Sequence, residues 1–381
     1  MTKTKLFSEL RLRDVVLKNR IVASPMWQYK GLDGHPTDWH LMNLGRLADG
    51  GSGLVFQEGT TVSRSGRGTV GDLGIWDDEM IPEYARITAL VRANGAVPGI
   101  QLMHAGRKGR VMSASDGGGS ITADHGIAGW DEWDVVAPSA VAHAGLPVPR
   151  ALSRSEILSL VDEWIAAARR ADAAGYDVLD IHGAHGYLIH QFLSEASNIR
   201  TDDYGGSPEN RARFLVEIIE GVRSAWPASK PLLLRLSVVD GAGWEIEDSI
   251  KLVSRLAPLG VDLIDCSAGG MVGPSLAASI YGYQVHLAEA IRRATRMATS
   301  AVGLIVHAQQ AEDILQRGRA DLVFLARELM YNPNWPIDAA QKLGDEKGFS
   351  VANHRTGYFL GRRATVMPDL CSSTFYRATE V

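Results

Sequence analysis

Residues 178–192 read Val-Leu-Asp-Ile-His-Gly-Ala-His-Gly-Tyr-Leu-Ile-His-Gln-Phe. The apolar start of this stretch ends in His182, His185 and Tyr187, which are separated only by glycine and alanine. Such a pattern is typical of a buried strand that delivers hydrogen-bond donors to a pocket. Two imidazoles can hold a carbonyl oxygen or an anion, and a neighbouring phenol can supply a proton. A structural turn, or a metal site using His182 and His185, stays open as an alternative.

The composition is that of an ordinary globular protein, with 45% apolar and 22% charged residues. The net charge of −5 gives no electrostatic reason to expect a nucleic acid or an anionic membrane as a partner. We find no apolar run of about 18 residues that could span a membrane, and no signal-peptide core. With only two cysteines, one of them (Cys266) in an apolar run, we expect a reduced, cytoplasmic protein without disulfides.

Short apolar runs recur along the chain, and most of them precede a helical pattern. They lie at residues 21–23, 54–57, 97–102, 178–181, 232–236, 263–266, 303–306 and 322–325. Continuous apolar runs between helices favour parallel βαβ units. Eight such units predict a fold of the α/β class, the TIM (β/α)8 barrel, with an open doubly wound sheet as the alternative.

Helix ends support this order of elements. Ser153 and Glu156 have capping-box spacing before a helix that stops at Gly175. Ser207, followed by a proline and an acid, is expected to begin a helix that runs to about Trp226. Further helices are predicted at residues 79–94, 248–259 and 286–297.

We expect residues 1–340 to form one barrel domain. Residues 110–150 then form a long loop after the third strand, on the face where barrels build active sites, as a lid or a pocket wall. Residues 341–381 are a polar C-terminal extension that could lie at a subunit interface.

Polar residues follow the predicted strands at their carboxyl ends. Examples are Ser24 after the first strand, Gly59 after the second and Gln101 within the third. Arg235 lies inside the apolar fifth strand. A buried arginine is costly without an anionic or carbonyl partner, so a ligand or a protein carboxylate is expected beside it.

The ends of the seventh and eighth strands predict a phosphate site. Ala308, Ala326 and Arg327 lie there, and this part of a TIM barrel commonly holds phosphate. The alternative for Arg327 is a helix-surface arginine. No Gly-x-Gly-x-x-Gly motif follows a strand. A phosphate site, amide donors and a buried cation together indicate FMN lying across the barrel mouth.

Five motifs resemble the Old Yellow Enzyme family. They are Ser24-Pro25-Met26, the run from Gln101 to Lys108, the run from His182 to Tyr187, the run from Ser197 to Arg211, and Arg327-Glu-Leu. The third- and fourth-strand motifs are most similar to its bacterial, thermophilic-like subclass. The resemblance extends from about Leu6 to Pro333. It implies a TIM barrel that carries FMN and reduces activated alkenes with NADPH or NADH.

The resemblance also implies roles for individual residues. His182 and His185 would bind the activating carbonyl or nitro group, and Tyr187 would be the catalytic proton donor. Tyr29 and Trp27 would line the substrate site. The residues expected to contact the flavin or its ribityl chain are Ser24, Pro25, Met26, Gly59, Gln101 and Arg235. Those expected around the phosphate are Ala308, Ala326 and Arg327. No metal ligand is implied.

The chain departs from the family pattern at three places. Trp27 stands where the subclass often has a cysteine that contacts the flavin, so the pocket shape and the redox potential are expected to differ. His307 and Ala308 replace an Asp-Gly-type pair. The subclass commonly ends with an arginine that reaches a neighbour's active site. The arginines of this tail do not match that ending: Arg355, Arg362, Arg363 and Arg377.

These observations predict an FMN-dependent enzyme that passes hydride from NAD(P)H to the β-carbon of an enone, enal or nitroalkene. The expected partners are a small electron-poor alkene and further copies of the chain, in a homodimer or homotetramer. One alternative is reduction of a conjugated aromatic acyl-CoA or nitro compound. A flavin-binding redox sensor without turnover and a metal-dependent barrel hydrolase are the others.

Overall fold

A computed structural model describes residues 3–272 and 280–366. Eight parallel strands close into a barrel, because the first barrel strand pairs with both the last and the second. The strands in chain order are β1 (Leu10–Leu12), β2 (Val15–Leu17), β3 (Ile21–Ala23), β4 (Leu54–Thr61), β5 (Leu73–Gly74), β6 (Val97–Met103), β7 (Val136–Ala137), β8 (Arg150–Ala151), β9 (Val178–Gly183), β10 (Leu232–Ser237), β11 (Leu263–Ser267), β12 (Ala298–Ala301) and β13 (Leu322–Leu325). The barrel runs β3-β4-β6-β9-β10-β11-β12-β13. This confirms the predicted TIM barrel.

The hairpin of β1 and β2 lies at the amino-terminal end of the barrel. Its Leu12 and Leu17 share an apolar cluster with Val178, Leu233 and Leu322, each at or near the start of a barrel strand. The opposite, carboxyl end is therefore the one left for a site.

Helices surround the barrel. They are α1 (Asp38–Asp49), α2 (Ile81–Ala93), α3 (Arg154–Ala173), α4 (Leu188–Leu193), α5 (Pro208–Arg211), α6 (Arg213–Ala225), α7 (Ile246–Leu256), α8 (Val285–Thr295), α9 (Ala308–Gln316), α10 (Arg327–Tyr331), α11 (Trp335–Leu343) and α12 (His354–Val366). The capping box of Ser153 and Glu156 is present at the start of α3. Ser207 caps a helix as expected, but that helix is divided at Ala212 into α5 and α6.

The predicted seventh strand was wrong. The strand is Ala298–Ala301, and residues 303–306 form the loop after it. Its sequence Ala-Thr-Ser-Ala is small and polar, so it lacks the apolar run that marks the other strands. Thr299 and Ser300 are nevertheless buried. The apolar run beyond it cannot continue a strand, because Gly303 and Leu304 have φ values of 107° and 49°.

The loop of residues 110–150 is anchored at its base. Arg107 donates hydrogen bonds to the carbonyl oxygens of Val141 and Ala142 at 3.3 and 3.4 Å. Arg200 donates to the carbonyl oxygen of Pro138 at 2.8 Å. Among the described residues, no helix is long and apolar enough to cross a membrane. The part of the predicted C-terminal extension beyond residue 366, with Cys371 and Arg377, lies outside the described residues.

Candidate functional site

The end of β9 brings together the three residues that the sequence singled out. The His182 and His185 ring centroids lie 5.0 Å apart, and the His182 and Tyr187 centroids lie 5.1 Å apart. His185 has a φ of 59°, in the left-handed region that favours glycine. Such local strain is often found where a side chain must be aimed at a functional site.

Both imidazoles have polar neighbours, and one backbone hydrogen bond assigns the proton of His182. The Ala184 N–H donates to Nδ1 of His182 at 3.2 Å, so the proton of His182 lies on Nε2. Nε2 of His182 lies 3.3 Å from Nδ1 of His185, and Nε2 of His185 lies 2.7 Å from Oγ of Ser267. A neutral imidazole carries one N–H, so each ring has one donor if both are neutral. Ser267 ends β11 and was not predicted as a site residue.

Burial determines the charge of this cluster. It lowers the pKa of His182 and of His185 well below the usual range, and the positive charge of Arg235 lowers both further. The two rings are therefore neutral donors. Burial raises the pKa of Tyr187, so the phenol keeps its proton. Lys108 donates to the carbonyl oxygen of His185 at 2.9 Å, and burial lowers its pKa to about 8.

Trp27 forms a wall beside this cluster. Its ring lies 5.2 Å from that of Tyr187 and 6.1 Å from that of Tyr29. Its Nε1 donates a hydrogen bond to the carbonyl oxygen of Gly59 at 2.8 Å. A Cβ at Gly59 would lie 2.8 Å from that same indole nitrogen, so a glycine is required there. Trp27 thus has its only N–H engaged, and it presents carbon atoms to its neighbours.

A cavity of about 410 Å³ extends from His185 to the predicted phosphate site. Its lining includes His185, Arg235, Ala326 and Arg327. Arg327 is exposed and forms no ion pair among the described residues. Gly303, after β12, also lines the cavity and was missed because the seventh strand was misplaced.

Ala308 is not part of the lining of this cavity. It is the first residue of α9, with His307 as the N-cap, and it is buried. The loop from Gly303, rather than the start of α9, follows the seventh strand. Ala308 as a phosphate contact therefore stays a prediction, as do the contacts of Pro25 and Met26.

The comparisons with known proteins agree with this geometry. A model of the NADH:flavin oxidoreductase / NADH oxidase family matches residues 5–346. The chain belongs to this family. An NADPH dehydrogenase of Geobacillus sp. (strain WCH70) is 44% identical over 358 residues, which cover 93% of this chain and 98% of that protein. The resemblance to the Old Yellow Enzymes is confirmed.

Two solved structures extend the comparison. An old yellow enzyme homologue from Zymomonas mobilis has a TM-score of 0.72 at 26% identity, covering 88% of this chain and 92% of that chain. A 2-naphthoyl-CoA reductase in complex with 2-naphthoyl-CoA has a TM-score of 0.79 at 26% identity. The match covers 90% of this chain but only 53% of that one, so the oxidoreductase spans about half of that protein.

The oxidoreductase uses FMN and a nicotinamide nucleotide, and the cavity fits FMN. Arg327 offers a free guanidinium at one end, where a phosphate would be held. Arg235 lines the cavity, and the one hydrogen bond from its guanidinium to a described residue is the 3.5 Å contact of Nη1 with Oγ of Ser24, which leaves Nη donors for a ligand. Within the described chain, no group of three or more histidine, cysteine or acidic side chains could hold a metal ion.

The oxidoreductase also places a polar layer inside the barrel below this cavity. Nε2 of Gln101 donates to Asp180 at 2.7 Å. Nε of Arg235 lies 3.2 Å from Oδ2 of Asp265. Both partners expected for Arg235, a protein carboxylate and a ligand, are therefore possible. Its guanidinium contacts Asp265 and also lines the cavity. Neither aspartate was predicted.

Glu58, next to Gly59 in β4, makes the stability of the oxidoreductase depend on pH. Burial raises the pKa of Glu58 from 4.5 to about 8. Between these values the folded protein holds a proton that the unfolded chain has lost, so the free energy of unfolding falls as the pH rises from 4.5 to 8 and then levels off. A shift of this size corresponds to at most roughly 5 kcal/mol.

We therefore expect Glu58→Gln to leave stability almost unchanged near pH 5 and to increase it by several kcal/mol at pH 9. Chemical denaturation at both pH values measures this difference. Glu247→Gln, at an exposed position, is the control. Parallel pH profiles of the wild type and Glu58→Gln would contradict a protonated, buried Glu58.

Proposed function

We propose that the enzyme reduces carbon–carbon double bonds activated by a carbonyl or nitro group. One observation carries the proposal: two neutral imidazole donors and a protonated phenol lie together at the edge of the cavity that contains Arg235 and Arg327. A protein that only bound a flavin would need no proton donor at that position.

The chain's own residues have separate roles in this reaction. His182 and His185 bind the activating oxygen, and their N–H groups stabilise the negative charge that develops on it. Removing one such donor typically raises a barrier by about 3 kcal/mol. Arg235 and Arg327 would hold FMN, which would supply the β-carbon with the hydride that comes from NAD(P)H. Tyr187 then donates its proton to the α-carbon from beside the His182 ring.

Tyr187 is suited to donation rather than to anion binding. Burial raises its pKa, so the phenol is protonated at any working pH. The tyrosine gives up that proton only to a strongly basic carbon, which the substrate presents after hydride arrives. Lys108, with its Nζ 5.0 Å from the Tyr187 ring centroid, offers positive charge on one side of the ring.

A second cavity extends the site away from Tyr29. It has a volume of about 850 Å³ and lies between residues 29–33, residues 63–71 and the loop of residues 110–150. Trp130 and Trp133 contribute aromatic surface. Its charged lining is Asp33, Arg64, Arg67, Asp116, Glu132, Asp134 and Glu163. The size suits a bulky alkene, and the excess of carboxylates disfavours a polyanion.

The charges that line this cavity disfavour the second candidate function, which is reduction of an aromatic acyl-CoA. Reduction of an aromatic acyl-CoA draws support from the likeness to the 2-naphthoyl-CoA reductase. The phosphates of a CoA ester would meet the excess of carboxylates in the cavity next to Tyr29. We therefore favour neutral, bulky enones and nitroalkenes as substrates. The predicted homodimer or homotetramer and the cytoplasmic location are retained as parts of the proposal.

Reaction of the reduced enzyme with a panel of acceptors tests the proposed function. We expect enones and nitroalkenes, including bulky cyclic ones, to reoxidise the flavin in a stopped-flow instrument at least 10-fold faster than aromatic acyl-CoA thioesters do. Dioxygen-free buffer without an acceptor is the control. Faster reoxidation by the thioesters would favour the second function, and no reoxidation by any acceptor would favour a redox sensor.

A further inference from the structure

Arg235 has an incomplete set of protein partners. It is buried on β10, and its Nη1 lies 3.5 Å from Oγ of Ser24. That long contact is the one hydrogen bond from its guanidinium to the described residues. Nε faces Asp265 at 3.2 Å, and the side chain lines the cavity of about 410 Å³, so Nη donors are available to a flavin bound there.

Two buried carboxyl groups lie in the layer below Arg235. Asp265 follows on the neighbouring strand β11, where its Cα pairs with that of Arg235. Its Oδ1 accepts a hydrogen bond from Oγ of Ser300 at 2.7 Å, and its Oδ2 lies 3.2 Å from Nε of Arg235. Asp180, on β9, accepts from Gln101, and its Oδ1 has no partner among the described residues.

The surroundings of the two carboxyl groups favour different protonation states. Burial raises the pKa of Asp265, but the charge of Arg235 and the hydroxyl donor of Ser300 oppose that rise and favour the ionised form. The side chain of Asp180 accepts a hydrogen bond from the neutral amide of Gln101 and faces the charge of Asp265, and the influence of Arg235 on it is smaller than that of burial. Burial and that charge raise the pKa of Asp180 well above its ordinary value. The other groups near Arg235 are His182 and His185, both neutral. Because the guanidinium of Arg235 lies 3.2 Å from Asp265 and forms no such ion pair with Asp180, we assign the negative charge of the layer to Asp265 and the proton to Asp180.

We propose that Asp265 is a positioning residue that lowers the reduction potential of the bound FMN by partly neutralising Arg235. A cation beside a flavin favours the reduced state, because reduction adds negative charge to the ring. A carboxylate 3.2 Å from that cation opposes the effect. This inference rests on the proposed placement of FMN against Arg235.

Three variants of the holoenzyme test the inference through the midpoint potential of bound FMN. Asp265→Asn keeps the shape and removes the charge. We expect Asp265→Asn to bind reduced FMN more tightly relative to oxidised FMN by at least tenfold. For a two-electron couple, this ratio corresponds to a rise of about 30 mV in the midpoint potential. Arg235→Met should move the potential in the opposite direction. Asp180→Asn, the matched control in the same layer, should change the ratio less than twofold.

Each result has a distinct meaning. If Arg235→Met lowers the potential but Asp265→Asn leaves it unchanged, the role of Asp265 is overturned and the placement of FMN stands. If Arg235→Met leaves the potential unchanged, FMN does not lie against Arg235. If Asp180→Asn raises the potential as much as Asp265→Asn does, the assignment of charge to Asp265 is wrong.

Asp265→Asn leaves Arg235 without its counter-ion, which could prevent folding. A milder variant tests the proposal in that case. Ser300→Ala removes the hydroxyl donor from Asp265 and so favours the protonated carboxyl group. We expect a smaller rise in potential with the affinity for oxidised FMN unchanged. A potential equal to that of the wild type in a folded, FMN-loaded Ser300→Ala enzyme overturns the proposal.

Discussion

Tyr187→Phe is expected to lower the rate of alkene reduction by about 100-fold or more, the usual range for loss of a general acid. The phenol is the proton donor of the cluster, because both imidazoles are neutral and a neutral imidazole N–H is a weaker acid than a phenol. Flavin reduction by NAD(P)H needs no such proton and should change less than about 3-fold. Stopped-flow measurement of the two half-reactions separates these effects.

Tyr176→Phe is a matched control for the loss of a buried phenol. The Tyr176 hydroxyl has no hydrogen-bond partner among the described residues, and its ring packs against Tyr84 outside the site. Both half-reactions should be unaffected. If Tyr187→Phe slows the two half-reactions equally, Tyr187 shapes the site but does not donate the proton.

The second large effect is expected from replacing both His182 and His185 by alanine. Phenol-type ligands place an oxygen anion where the substrate's activating oxygen would lie, so they report on the two N–H donors. Hydrogen bonds to a charged group contribute about 1.5–3 kcal/mol each. Loss of both should weaken the binding of a para-substituted phenol by at least about 100-fold.

Titration of the oxidised enzyme with the phenol, followed by the flavin spectrum, measures this affinity. The single variants should each show a smaller loss, which reveals whether the two donors act together. His354→Ala, exposed at the start of α12, controls for the loss of a histidine elsewhere. Phenol affinity within 3-fold of the wild type in the double variant would show that the oxygen binds at another place.

Local patterns in the chain predicted most of the fold. The barrel strands that carry an apolar run were found, as was the capping box of α3, because both signals lie within a few consecutive residues. β12 was missed because its small and polar residues are buried by neighbouring strands rather than by their own hydrophobicity. The apolar residues after it were mistaken for a strand, although the φ of Gly303 turns the chain there.

The cluster of His182, His185 and Tyr187 could be predicted because it lies on one strand end. Its partners could not. Ser267, which is 2.7 Å from His185, lies 82 positions along the chain. Trp27 was recognised as unusual, but its hydrogen bond to Gly59 depends on how β3 and β4 pair.

The sequence by itself determined the barrel, most of its strands and the residues proposed to carry the chemistry, because strand periodicity, helix caps and motifs are local. Only the tertiary structure decided which charged and polar side chains lie next to one another inside the barrel. Closure of the barrel sets Asp265 beside Arg235 and Asp180 beside Gln101, through strand registers that no single stretch encodes. The electrostatic environment of the flavin is therefore a property of the closed barrel.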